Sequence, residues 1–535
     1  MAEPLLSVEQ LSVIFNRQHK VVDDISFVIY PGETFALVGE SGSGKSITAL
    51  SILRLLPNTA NLDAKSIQLH GEDLLKLSDL DMCKIRGRRI GLIFQDPMSS
   101  LNPVMTIGEQ ITEAIHVHHP LPKSETQQRV LELLQQVELP DPQQKIKDYP
   151  HQLSGGQRQR VMIAIALASK PDLLIADEPT TSLDVTIQAQ ILALLKNLQQ
   201  QTGMALWLIS HDLALVSSIA DRVAVMQEGK VVETASAVEL FTHAKHPYTQ
   251  RLLRALPSMQ SCLQNQAEER PTLLQINDFY CHYPIRKGLF KRIVGYVKAV
   301  DGVSFEIQQG KTLALVGESG CGKTTLGKSL LNLIPNHFGS VIIDGIALNG
   351  LDGELLRKQR ANMQIIFQDP FSSMNPRMLV NDIIAEGLKA LHPEISVQDR
   401  KERVLSLLQQ VGLPEFAALR YPHEFSGGQR QRICIARALA VMPKLIVCDE
   451  PTSALDVSVQ AQIIQLLKNL QQEQGISYLF ITHDLAVVAE IADDVAVMWQ
   501  GKIIEQGSVE QVLFNPQHDY TKKLISAVPV KSHGN

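Results

Sequence analysis

The chain has 535 residues, more than one buried core can use, because a single core stops growing near about 250–300 residues. Hydrophobic residues make up 44% and charged residues 20%, which excludes a largely disordered chain. Fifty basic against 56 acidic residues leave a net charge of −6, which argues against a nucleic-acid partner. The six cysteines are scattered and include no Cys-x-x-Cys pair, so neither a disulfide framework nor a zinc ribbon is expected. No stretch reaches 18 consecutive apolar residues and no basic region precedes a long apolar run at the N-terminus. The sequence therefore predicts no signal peptide and no spanning segment, and it suits a reducing cytosolic setting.

In chain order, a short apolar run (FALVG, ending at Gly39) leads through GESGSGKS into a helix-compatible stretch, ITALSILRLL. After Gln95 the pattern turns helical, with EQITEAIHV and ETQQRVLELLQQV, up to SGGQRQR at Ser154. LLIAD, ending at Asp177, follows as an apolar run expected of a parallel strand buried on both faces, and ALWLISHD as a further strand. A polar, proline-bounded linker is expected at 258–271, and the series then repeats: LALVG, GESGCGKT from Gly317, SGGQRQR from Ser426, LIVCD to Asp449, and YLFITHD. The two lysines of the glycine-rich loops are 278 residues apart, and the SGGQ, DEPT and His-Asp-Leu-Ala motifs are each offset by 272. A period this long is the duplication of a whole domain, predicted as 1–257 and 272–535. The second copy is expected to lack one short loop ahead of Gln368. Strands separated by helices predict an α/β fold in each copy, a mainly parallel sheet with an inserted helical subdomain and ligands at the carboxyl ends of the strands.

The loops Gly39, Glu40, Ser41, Gly42, Ser43, Gly44, Lys45, Ser46 and Gly317, Glu318, Ser319, Gly320, Cys321, Gly322, Lys323, Thr324 both match G-x-x-x-x-G-K-[S/T]. Glycines let backbone N–H groups turn in around a phosphate, and the helix that follows adds its dipole. Lys45 and Lys323 supply a point charge for the β- and γ-phosphates, and Ser46 and Thr324 offer hydroxyls to Mg²⁺. Asp177 and Asp449, each ending an apolar strand, are candidate Mg²⁺ ligands; Glu178 and Glu450, next in sequence, are candidate bases for an attacking water. Ser154, Gly155, Gly156, Gln157 and Ser426, Gly427, Gly428, Gln429 open helix-like stretches and form a second anion-accepting arrangement.

These motifs together resemble the ATP-binding cassette family, with two fused nucleotide-binding domains. LSGGQ and FSGGQ match its signature loop, Gln95 and Gln368 its Q-loop glutamine, SLD to Asp184 and ALD to Asp456 its D-loop, and His211 and His483 its switch histidine. The resemblance implies two tandem P-loop ATPase domains, each with an antiparallel β subdomain, arranged head-to-tail so that each ATP meets the phosphate loop of one half and the SGGQ loop of the other. It implies ATP and Mg²⁺ as ligands, with Gln95 and Gln368 among the metal-site residues and Phe15 and Tyr283 as the aromatic residues for adenine. Neither half lacks a motif, so two hydrolytic sites are expected.

FQDPMSSLNP, FQDPFSSMNP, His246-Pro-Tyr-Thr and His518-Asp-Tyr-Thr further resemble the peptide and nickel importers, most of all the fused Yej-type oligopeptide and microcin C import ATPases, and next the glutathione importers. The implied partners are two integral-membrane permease subunits, with an extracytoplasmic binding protein acting indirectly, and the implied place is the cytoplasmic face of the bacterial inner membrane. Many relatives carry a cysteine cluster after the HPYT segment; only Cys262 stands there, so no iron–sulfur cluster is expected. A soluble twin-cassette translation or DNA-repair factor is the rival of another class; a short, nearly uncharged linker and the lack of cysteine pairs argue against it. Cys321, beside Lys323 at a helix N-terminus, is expected to have a lowered thiol pKa. His116, His118 and His119 read as a polar helix end rather than a metal site.

Overall fold

The computed structural model describes residues 3–16, 19–181, 183–256, 270–287, 290, 292–334, 337–351, 353–453 and 455–526. Most of the expected linker, Cys262, and the D-loop residues Ser182 and Ala454 lie outside them. The described residues fall into two compact units, one up to Leu256 and the other from Arg270 to Ser526.

The first unit is built on a six-stranded sheet in the order Lys230–Ser236, Arg222–Gln227, Thr34–Val38, Ala205–Ser210, Leu173–Asp177, Ile90–Ile93. All neighbours are parallel except the Arg222–Gln227 and Lys230–Ser236 hairpin. Every residue of Thr34–Val38, Leu173–Asp177 and Ala205–Ser210 is buried, the physical reason for their unbroken apolar character. The second unit repeats the order with Lys502–Ser508, Asp494–Trp499, Thr312–Val316, Ser477–Thr482, Leu445–Asp449 and Met363–Ile366.

An antiparallel sheet packs on each core. Its strands alternate as one-sided burial requires: Val303, Phe305 and Ile307 are buried while Ser304 and Glu306 are exposed. Two details differ between the copies. The first unit pairs two short strands, Ala60–Asp63 and Ser66–Leu69, with Leu6–Phe15, where the second uses one, His337–Ile343; the missing loop falls here. Conversely, the basic segment after Tyr283 lengthens the paired strands to 16 and 17 residues, Thr272–Lys287 and Arg292–Gln308, against 10 and 11 in Leu6–Phe15 and His19–Ile29. Composition did not signal this hairpin, because its outer residues are not buried and carry no alternation.

The inserted helices form as their sequences direct. Thr106 and Glu109 make a reciprocal capping box for Ile107–His118, whose Ile107, Ile111 and Ile115 form one buried face. That face joins Leu133 and Leu134 of Lys123–Gln136 and Val161 of Gly155–Ala166 in one cluster. Ser154 and Ser426 cap Gly155–Ala166 and Gly427–Leu439 by the same capping box, with Gln157 and Gln429 as partners.

Just inside these caps the chain passes close to the helices Val185–Thr202 and Val457–Gln474. A Cβ on Gly156 would stand 2.7 Å from Ile187 Cγ2, and one on Gly428 would collide with Val459. Alanine in a helix normally gains up to about 1 kcal/mol over glycine. Overpacking costs about 1–3 kcal/mol, and Val459 is stiff at χ1. Gly428→Ala is therefore expected to lower stability despite its better propensity, seen as an earlier midpoint in chemical denaturation.

Candidate active sites

Both sites sit where the strands of the parallel sheet end. Thr34–Val38 runs into the first glycine-rich loop and Lys45–Ile52 leaves it. The loop wraps tightly because two glycines leave no room for a side chain. A Cβ on Gly39 would run into the Met226 carbonyl, and one on Gly44, at φ 104°, would stand 2.7 Å from the Val21 carbonyl. The second loop repeats this, with Gly317 against the Met498 carbonyl.

Lys45, 4% exposed, turns back across the loop: its Nζ donates to the carbonyls of Gly39 at 2.8 Å and Glu40 at 2.9 Å. Lys323 does the same with Gly317 at 2.7 Å and Glu318 at 2.9 Å. The hydroxyl residue is second in the helix after each loop, and its hydroxyl reaches the aspartate that ends the strand two places along the sheet. Ser46 Oγ donates to Asp177 Oδ1 at 2.9 Å, and Thr324 Oγ1 to Asp449 Oδ1 at 2.8 Å. A hydroxyl and a carboxylate side by side are the hard oxygen donors that Mg²⁺ takes, so the donor set fits that ion.

The adjacent carboxylates have opposite environments. Burial pushes Asp177 up to about 6, against the hydrogen bond from Ser46, and raises Asp449 for the same reason. Burial also works against Glu178, but the hydrogen bond and charge of His211, with Thr181 and Lys45, outweigh it and hold that carboxyl below its ordinary range. Glu450 is held low likewise, by His483, Lys323 and Gln368. His483 answers in kind: burial opposes its charge, yet Glu450 raises its pKa.

The geometry matches. Glu178 Oε1 lies 3.0 Å from His211 Nδ1, while Oε2 accepts from Gln95 Nε2 at 2.9 Å and from Thr181 Oγ1 at 3.0 Å. Glu450 Oε1 is 3.3 Å from His483 Nδ1 and its Oε2 accepts from Gln368 Nε2 at 2.8 Å. Both glutamates have φ 46°, a left-handed conformation that costs a non-glycine residue about 1–3 kcal/mol. Each holds the strained turn through its own N–H, which donates to Ile209 or Ile481 at 2.9 Å.

Lysine, hydroxyl, aspartate, glutamate, glutamine and histidine thus converge in each unit. Gln95 and Gln368, expected among the metal-site residues, turn their amide N–H groups to the glutamates. Asp184 caps the helix Val185–Thr202 through Ile187 N at 2.9 Å, and Asp456 stands at the same position before Val457–Gln474.

Three other expectations concern residues around the sites. Phe15 is half-buried against the core cluster of Leu11, Val13 and Val22, and Tyr283 stands partly exposed on Thr272–Lys287. Cys321 is a correction: burial raises its thiol pKa and outweighs Lys323, whose Nζ is 3.8 Å from Sγ. At 8% exposure the helix terminus and lysine do not make it a reactive thiol. His116 at the helix end pairs with Thr126 at 2.8 Å, and among the described residues no group of three or more His, Cys, Asp or Glu could hold a metal.

One further contact joins the C-terminal segments to the loops. The tyrosine of each H-x-Y-T segment reaches the glycine-rich loop: Tyr248 OH accepts from Glu40 N at 3.3 Å, and Tyr520 OH from Glu318 N at 3.0 Å. The signal was the recurrence of H-x-Y-T after both cassettes.

The chain resembles known proteins along nearly its whole length. The ABC transporter family matches residues 22–181 and 300–453. The oligopeptide/dipeptide transporter C-terminal region matches 232–286 and 504–534. The chain is 49% identical to the peptidoglycan transport ATP-binding protein YejF of Agrobacterium fabrum, over 98% of this chain and 96% of that one. It is 49% identical to the ABC transporter ATP-binding protein YejF of Escherichia coli K12, over 98% and 100%. It is 46% identical to the glutathione import ATP-binding protein GsiA of the same strain, over 98% and 90%.

Asp177 has a measurable cost. Its folded pKa of about 6 lies above its ordinary value of 3.8. The protonated form is therefore the one the fold favours: this contribution is fully present below 3.8, is lost as pH rises toward 6, and changes no further above it. Removing the charge in Asp177→Asn should raise the thermal midpoint at pH 7.5, with the gain shrinking as pH falls from 6 to 4. A midpoint unchanged across that series would show that burial does not strain the carboxylate.

Proposed function

The chain belongs to the ABC transporter family, as an ATP-hydrolysing component of an importer, and we propose that the imported class is peptides, from short oligopeptides down to a tripeptide such as glutathione. The observation that carries this reading is the pairing, in both units, of a complete hydrolytic set with a C-terminal region of the oligopeptide/dipeptide transporter type. The relatives named for peptidoglycan and for glutathione carry cargo built on peptide bonds. The cargo site belongs to the permease and binding-protein chains.

The roles follow from the chemistry. The two loops hold the phosphates of ATP, with Lys45 and Lys323 supplying charge. Ser46 with Asp177, and Thr324 with Asp449, would hold Mg²⁺, which when bound would supply positive charge against the phosphates. Glu178 and Glu450 accept a proton from the attacking water. Their lowered pKa values keep them ionised for this, and His211 and His483 hold the carboxylates in place. Ser154, Gln157, Ser426 and Gln429 belong to helix N-termini suited to a γ-phosphate.

No helix among the described residues is long and apolar enough to cross a membrane. The permease contact we assign to an apolar groove of about 260 Å³ in the first unit, lined by Leu92, Phe94, Val117 and Ile165 beside Gln95. Phe94 is 47% and Val117 68% exposed there. A short amphipathic helix on the cytoplasmic side of a permease would cover them, and Gln95 would carry its movement to Glu178. Such a subunit works peripherally, at the cytoplasmic face of the membrane.

Two experiments test this. The Glu178→Gln/Glu450→Gln protein should keep ATP affinity and lose steady-state hydrolysis by at least about 100-fold, the usual worth of a positioned base; undiminished turnover would remove these residues from that role. Val117→Glu should leave ATP binding unchanged and abolish co-purification with the permease subunits, because a charge at that spot would have to be desolvated.

A further inference from the structure

The H-x-Y-T segments are not needed for the hydrolytic chemistry, yet each is built with care around one hydroxyl. In the first unit, Glu233 on the strand Lys230–Ser236 accepts from the backbone N–H groups of Lys245 at 2.7 Å and His246 at 3.1 Å. His246 Nδ1 then accepts from Tyr248 N at 3.2 Å and starts the helix Pro247–Arg254. This fixes Tyr248, 4% exposed, with Arg251 over its ring at 5.3 Å. The second unit reaches the same geometry from a different sequence. Glu505 accepts from Gln517 N and His518 N, and His518 Nδ1 from Tyr520 N at 3.1 Å. Trp499 stacks on the Tyr520 ring at 5.5 Å.

Both constructions end at one place, the N–H of the second loop residue. Glu40 N donates to Tyr248 OH, and the carbonyl of Glu40 accepts from Lys45 Nζ at 2.9 Å. Glu318 links Tyr520 to Lys323 in the same way. The Tyr248 hydroxyl also interacts with the Glu40 carboxylate, so its proton has an acceptor while its oxygen takes the amide. One residue of the glycine-rich loop therefore ties the C-terminal region to the phosphate-binding lysine.

We infer that Tyr248 and Tyr520 are positioning residues for nucleotide binding: their hydroxyls fix the mouth of the phosphate loop, and this is a function of the H-x-Y-T region. The inference rests on the reading of these loops as ATP sites. A loop held in its binding shape has less conformational freedom to lose when nucleotide arrives. Without the hydroxyl, the Glu40 or Glu318 amide is left without this acceptor and the loop mouth samples other conformations, while the ring, its packing and the helix stay in place. The hydroxyls touch neither Glu178 nor Glu450, so the effect falls on binding and not on the chemical step.

The test uses the full-length protein with Tyr248→Phe/Tyr520→Phe, titrated with ATP and with ADP, together with steady-state ATPase kinetics and apo thermal unfolding. The expected result is nucleotide affinity weakened about fivefold, the equivalent of one ordinary hydrogen bond, a matching rise in KM, and kcat unchanged. Leu252→Ala/Leu524→Ala, which empties buried positions on the same two helices, is the comparison: it should lower the thermal midpoint more while leaving nucleotide affinity of the folded protein at the parent value. Parent-like affinity in the phenylalanine protein would overturn the inference. So would an equal loss of affinity in the leucine variants, which would make the effect one of helix packing alone. A parent protein that binds neither nucleotide would instead refute the ATP-site reading itself.

Discussion

Everything in each unit is organised around keeping charge in a dry place. A lysine, an aspartate, a glutamate and a histidine meet at the carboxyl end of a sheet whose central strands are wholly buried. An isolated ion in such a setting would simply neutralise. Here the groups balance one another: the lysine rests on two carbonyls, the aspartate takes a hydroxyl, and the glutamate takes histidine, glutamine and, in the first unit, threonine. The sheet supplies rigidity, since strand ends are pinned by ladders on both sides and the loops between them are short.

Strain and electrostatics lie on the same residues. The left-handed turn falls on Glu178 and Glu450 themselves, directly after the buried aspartates. Two neighbouring carboxylates then acquire different acidities: one raised by burial, one lowered by a cation. A single Asp-Glu dipeptide at a strand end thus holds two carboxylates of different acidity. The fold tolerates the strain because the backbone N–H of each glutamate is bonded across to the neighbouring strand.

Duplication shows which features the chemistry demands. Lysine, hydroxyl, aspartate, glutamate, glutamine, histidine and the loop-facing tyrosine recur with nearly the same distances. What differs is peripheral: two short strands against one, a short hairpin against a long one, Ser43 against Cys321. Serine and cysteine at that point are both buried, and nothing in the site draws on the thiol.

The residues alone determined that the chain holds two copies of one α/β unit, where the buried strands run, and which side chains to look for at the strand ends. Apolar continuity, glycine spacing and the 272-residue offset are local or repetitive signals that survive without coordinates. The tertiary structure alone decided how those side chains meet. It turned Gln95 toward Glu178, buried Cys321 so that desolvation overrode its lysine neighbour, and lengthened a hairpin that no burial pattern announced. It also brought Tyr248 to Glu40, 208 positions away along the chain. Contacts of that range depend on which strand ends lie side by side and on how much water reaches them, and neither is written in any window of sequence.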